Sequence, residues 1–169
     1  LQLSFTLTCF LAKMKVWEET AVQQMAPPKK TQTGDTMVEI SGRYLGEKSC
    51  ELQHPSQSKI ITDAPKDNQG RGMAFSPTDL VGAALGSCML TTMALTADKE
   101  GIPMIGATFT LKKEMAASPR RIARLTVMMQ MPATIAVEHR ERLVAIGEGC
   151  PVFKSLHPDL QTVVKWQWV

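Results

Sequence analysis

The segment from Leu80 to Ala97 runs for eighteen residues without a charged side chain, and it constrains the fold more than any other feature of the chain. It is preceded by Ser76-Pro-Thr-Asp79, in which Ser76 suits an N-cap, Pro77 the first helical position and Asp79 the place of a capping-box acid. Gly101 and Pro103 supply a stop. The pattern predicts one helix from Ser76 to about Lys99, roughly 33 Å long at 1.5 Å per residue. Its apolar run sits at the lower limit for a membrane span. Two Gly, three Thr, one Ser and one Cys within it, without basic and aromatic anchors close on both flanks, fit a buried helix of a soluble protein better. A helix that is apolar on every side must be covered on every side. A single small sheet cannot do that, so a second layer is expected, from a partner subunit.

The flanking segments read as strands. Val38, Ile40 and Tyr44 alternate with polar residues, Leu45-Gly-Glu-Lys-Ser49 reads as a hairpin turn, Cys50 and Leu52 share one face of a second strand, and Lys59 to Thr62 is a short third. Asp63 to Gly72 is rich in turn formers. Beyond the long helix, Ala107-Phe109-Leu111 and Ala123-Leu125-Val127-Met129 alternate on either side of Ser118-Pro119-Arg120, as neighbouring antiparallel strands would. Thr134 to Ile146 reads as a second helix closed by Gly147 or Gly149, Cys150 to His157 as a short third with Pro151 at its first position, and Val164-Trp166-Trp168 as a last strand. Strands in runs, with helices between strand pairs, indicate an α+β fold. At 169 residues the chain holds one domain with a sizeable core.

Residues 1–36 read differently. Leu1 to Ala12 is apolar but lacks a basic leader, and Ala26-Pro-Pro-Lys-Lys-Thr-Gln-Thr-Gly34 is polar and irregular. They are expected to be an appended, poorly ordered extension, with Met37 a natural start and residues 37–169 the domain; a degenerate export signal is the other reading. A net charge of +3, with no basic run interleaved with aromatics, argues against nucleic acid as a partner.

Four cysteines, Cys9, Cys50, Cys88 and Cys150, lie far apart with no C-x-x-C pair, which excludes a zinc ribbon and a dense disulfide framework and points to reduced thiols in the cytoplasm. Cys9 falls in the extension and is given no role. Cys50 reads as a core filler. None of His54, His139 and His157 is spaced from Cys88 or Cys150 as known metal ligands are, so no metal and no cofactor is expected. His139 shares an apolar stripe with Ile135, Leu143 and Ile146 and reads as a core histidine, and the methionines as core packing. Local rules make Cys150 the more reactive thiol, because a helix N-terminus favours thiolate. Cys88 lies about three turns into its helix, where that help has faded, and needs a cation from another segment.

Ser76-Pro-Thr-Asp-Leu-Val-Gly-Ala-Ala-Leu-Gly-Ser-Cys88, followed some sixty residues later by Gly149-Cys150-Pro-Val, resembles the OsmC/Ohr family, closest to its general OsmC-like branch. The resemblance covers Met37 to Val169. It implies an intertwined homodimer, with antiparallel sheets wrapped around two long central helices. It also implies reduction of organic hydroperoxides, and of hydrogen peroxide, by a cysteine pair without a cofactor. Carried over by motif, Cys88 would become a sulfenic acid and Cys150 would resolve it as a disulfide, re-reduced by a lipoyl-type or low-molecular-weight dithiol. In the family an arginine of the N-terminal hairpin and a glutamate early in the central helix support the first thiol. The glutamate position falls on Thr78 here, and Lys48, Arg43 and Arg71 are the candidate cations. The alternative is a non-catalytic dimer of the same fold that binds an apolar small molecule in a stress response; no membrane partner is implied.

Overall fold

In the computed structural model, which describes residues 37–169, the long helix α1 spans Pro77–Glu100. The expectations for residues 1–36 lie outside the described residues. The Ser76 Oγ accepts the Asp79 N–H at 3.1 Å, and the Asp79 carboxylate accepts the Ser76 N–H at 2.8 Å. This reciprocal pair satisfies two otherwise orphaned donors and is worth about 1 kcal/mol. Gly101 ends the helix in the left-handed region at φ 68°, which glycine enters without steric cost.

Before α1 come β1 (Ser41–Gly46), β2 (Ser49–Gln53) and β3 (Lys59–Asp63), paired in that order as one three-stranded sheet, and a 3-10 turn at Lys66–Asn68. After it come β4 (Thr108–Ala117), β5 (Arg120–Met131), α2 (Val137–Glu148), α3 (Pro151–Ser155) and β6 (Gln161–Trp168). Residues 42–52 and 59–169 make one compact unit; of the described residues, 37–41 and 53–58 belong to another. In the latter, a turn is closed by the His54 N–H on the Ser58 carbonyl at 3.0 Å.

The second sheet has the order β4-β5-β6. β4 and β5 form the expected antiparallel hairpin, with a bulge between Glu114 and Met115. β6 lies parallel to β5, Leu125 opposite Thr162 and Met131 opposite Trp168, so this sheet is mixed rather than antiparallel as expected. A parallel return needs a crossover, and α2 and α3 supply it. Several bounds differ from expectation. β1 begins at Ser41 rather than Val38, and α3 is little more than a single turn. α2 begins at Val137 rather than Thr134, because the chain first turns through Pro132-Ala-Thr-Ile135, closed by the Ile135 N–H on the Pro132 carbonyl at 3.1 Å.

The core lies between α1 and the second sheet. Leu85, Met89, Met93 and Ala97 form one stripe of α1, and they meet Leu125, Val127, Met129 and Met131 of β5, with Ile135 and Leu143 at the edge, all fully or almost fully buried. Each large side chain buried in this way contributes about 1.5–3 kcal/mol. Gly82 and Gly86 bring α1 close to β4: a Cβ on Gly86 would stand 2.3 Å from the Phe109 ring, and one on Gly82 would stand 2.6 Å from Leu111. The opposite side of α1, with Ala84, Ser87, Thr91 and Leu95, is exposed. One chain thus covers one side of the helix, because its single packed sheet offers one apolar face. By length and composition α1 is also a possible membrane span.

Candidate functional site

Cys88 and Cys150 come together from distant parts of the sequence. Cys88 sits half-buried on α1, with its Sγ 3.9 Å from Thr92 Oγ1. Cys150 is fully buried at the N-cap of α3, where its Sγ accepts the Phe153 N–H at 3.4 Å. Gly147, at the end of α2, explains the approach: a Cβ there would meet both Met93 Sδ and the Trp166 ring at 3.1 Å. A larger residue would push the end of α2, and Cys150 with it, away from α1. As placed, Cys88 packs against the buried cluster that holds Cys150, close enough for its thiol to bear on the ionisation of Cys150, and both cysteines are free.

The electrostatics of Cys150 differ from the sequence expectation. Burial pushes its thiol above the ordinary value of 9.0; the Phe153 N–H pulls the other way, and the neighbouring Cys88 adds to the rise. Desolvation disfavours the thiolate, and so short a helix carries too little dipole to reverse that. Cys150 is therefore held as a protonated thiol, rather than as the thiolate that a helix N-terminus alone would favour.

Two of the three candidate cations, Arg43 and Arg71, are paired elsewhere, and Lys48 is exposed. Arg43 pairs with Glu51 at 3.0 Å. Lys48 lies in the β1–β2 turn at φ 66°, with its N–H on the Tyr44 hydroxyl at 3.1 Å. Arg71 pairs with Glu47 at 2.6 Å, donates to Ser49 Oγ at 3.2 Å and stands 4.0 Å from Asp63. The Met73 N–H, with Arg71 and Ser49 assisting, holds the buried Asp63 carboxyl below its ordinary range. Among the described residues, none of these cations hydrogen-bonds to either thiol. Cys50 is half-buried on β2, less enclosed than a core filler. His139 is half-buried and His157 exposed, and no group of three or more potential metal ligands occurs among the described residues.

Thr78 has a partner that the sequence reading missed. Lys113 of β4 donates to Thr78 Oγ1 and Asp79 Oδ1, each at 2.6 Å, and to Ser76 Oγ at 3.3 Å. The signal was present: Lys113 continues the inward face of Phe109 and Leu111. Burial works against the Asp79 anion, but its bonds from Lys113 and Ser76 outweigh that and hold the carboxyl below its ordinary range.

The family profile described as OsmC-like protein matches residues 69–165, which include both thiols and Lys113. The chain belongs to the OsmC-like family. A crystal structure of a proposed osmotic stress induced and detoxification response protein from Psychrobacter arcticus 273-4 is 36% identical, with 82% of this chain and 100% of that one covered at a TM-score of 0.72. An organic hydroperoxide resistance protein OsmC from Legionella pneumophila shares the fold at 16% identity (80% and 99% covered, TM-score 0.64). An organic hydroperoxide resistance protein from Elizabethkingia anophelis does so at 14% (84% and 100% covered, TM-score 0.63). No curated protein matches the sequence significantly.

In this OsmC-like chain the Lys113 cluster braces the start of α1 against β4. Replacing Lys113 by Met leaves Asp79 without its ion-pair partner in a partly covered place. A loss of about 1–2 kcal/mol is expected, read as a lower melting temperature; an unchanged melt would show that the brace carries no stability.

Proposed function

We propose that the chain reduces organic hydroperoxides, and hydrogen peroxide, through Cys88 and Cys150. The observation that carries this reading is that half-buried Cys88 neighbours fully buried Cys150. The Cys88 thiolate attacks the distal peroxide oxygen, the O–O bond breaks and the alcohol leaves with a proton, giving Cys88 sulfenic acid. The Cys150 thiolate then attacks that sulfur, water leaves, and a disulfide remains for an external dithiol to reduce. Of the pair, Cys88 is half-buried and Cys150 fully buried, which supports Cys88 for the first step.

The cation that Cys88 requires comes, in this reading, from a second copy in a cytoplasmic homodimer. Two observations favour such a partner. The Ala84-Ser87-Thr91-Leu95 side of α1 is uncovered next to Cys88, and the first sheet and the loop after it expose Tyr44, Ile60, Ile61, Met73 and Phe75. Surfaces of this kind mark interfaces.

The test is a thiol count before and after one equivalent of cumene hydroperoxide. Two thiols per chain are expected to vanish together, with a loss of two hydrogens by mass. The second reading, a binding module for an apolar molecule, draws on a cavity of about 810 Å³ lined by Met73, Phe75, Ala83, Phe109 and Leu111 together with Lys113 and Asp79. Constant thiol counts, together with a melting temperature raised by an apolar ligand, would select it.

A further inference from the structure

Peroxide reduction needs Cys88 as an anion, yet among the described residues the polar neighbours of its sulfur are Thr92 Oγ1 and the Cys150 thiol, both uncharged. In that reading a second copy brings the cation; the juxtaposed pair by itself also suits an electrophile that takes thiols in their protonated form and leaves no charge behind. We propose that the Cys88–Cys150 pair captures trivalent organoarsenicals, R–As(OH)2, as a ring-closed dithioarsenite. Each thiol gives its hydrogen to one arsenic hydroxyl, two As–O bonds break, two As–S bonds form and two waters leave. No atom changes oxidation state, and no reductant is needed.

Charge bookkeeping selects this class. The reagent, two protonated thiols and the adduct they form are all neutral. Cu(I) on two thiolates would leave a net negative charge in a half-buried place, and a structural zinc needs four ligands, whereas no described cluster offers even three. Sulfur is a soft donor and favours a thiophilic centre. Half-buried Cys88 meets the arsenical first, and buried Cys150 closes the ring. The Phe153 N–H at 3.4 Å already anchors the Cys150 sulfur, so ring closure immobilises little that is free.

The inference rests on the juxtaposition of the two thiols, not on peroxidase activity. The experiment titrates reduced, full-length Cys9→Ser/Cys50→Ser protein, whose only thiols are the pair, with phenylarsine oxide, reading free thiols and intact mass. One arsenical per chain is expected, with two thiols lost for each one bound. The adduct should resist glutathione and be stripped by 2,3-dimercaptopropanol. Adding Cys88→Ser or Cys150→Ser should weaken binding by about 100-fold or more, because the second As–S bond is intramolecular. Diamide-oxidised protein, which needs no pair mutation, should not bind. One thiol lost per arsenical, or equal binding by the oxidised protein, would overturn the inference. Arsenical capture without peroxide consumption removes the peroxidase reading alone; peroxide consumption by both thiols without capture removes this one alone.

Discussion

Cys88→Ser is expected to slow hydroperoxide consumption about a thousandfold or more, while Cys150→Ser still consumes one equivalent and stops as a Cys88 sulfenic acid. The first effect follows from removing the nucleophile, a loss of the size seen when a nucleophile is deleted elsewhere. The second follows from the exposure of the pair. Cys150 is fully buried and Cys88 half-buried, so the oxidant reaches one sulfur and the other serves it from inside. In single turnover, dimedone should label Cys150→Ser stoichiometrically and wild type far less, because wild type closes its disulfide first. Fast consumption by Cys88→Ser would reverse the assignment of the two sulfurs. Serine is close in size to cysteine, and its hydroxyl can still cap α3 in the Cys150→Ser variant, so near-normal melting temperatures are expected for both variants.

Much of this arrangement was legible in the sequence because it is local. Ser76, Pro77, Asp79 and Gly101 fix the ends of α1 by capping chemistry, and the alternation from Phe109 to Met129 fixes the β4–β5 hairpin; both are found where the pattern puts them. The parallel pairing of β6 with β5 is a tertiary choice, made by the crossover through α2 and α3 rather than by anything in Val164–Trp168. The site divides in the same way. That Cys150 caps a helix could be read from Pro151 beside it, but its protonation could not, since burial depends on the neighbours that α1 and α2 bring. Counting back from Cys88 found Thr78 but not Lys113, which arrives from a strand thirty-five residues later. The family arginine has no counterpart that sequence spacing alone could choose from Arg43, Lys48 and Arg71, and of these Arg43 and Arg71 are paired with Glu51 and Glu47.

Resolution of the sulfenic acid should accelerate steeply with pH. The attacking species is the Cys150 thiolate, and burial lifts that thiol above 9.0. At pH 7 about one molecule in a hundred or fewer then carries the thiolate, and the fraction grows about tenfold for each pH unit below the pKa. Raising the pH from 7 to 9 should therefore speed disulfide closure by up to about 100-fold. The sign is fixed by the direction of the shift: a raised thiol pKa keeps the proton on through neutral pH and releases it only in the alkaline range. Sequential mixing isolates this step, with Cys88 oxidised first at one pH and closure followed after a jump, so that the ionisation of Cys88 does not enter. A closure rate that is flat between pH 6 and 8 would mean that Cys150 is already ionised, and would place a positive charge beside it in the assembled protein. In that case the proposed second copy would serve the resolving sulfur as well as the attacking one.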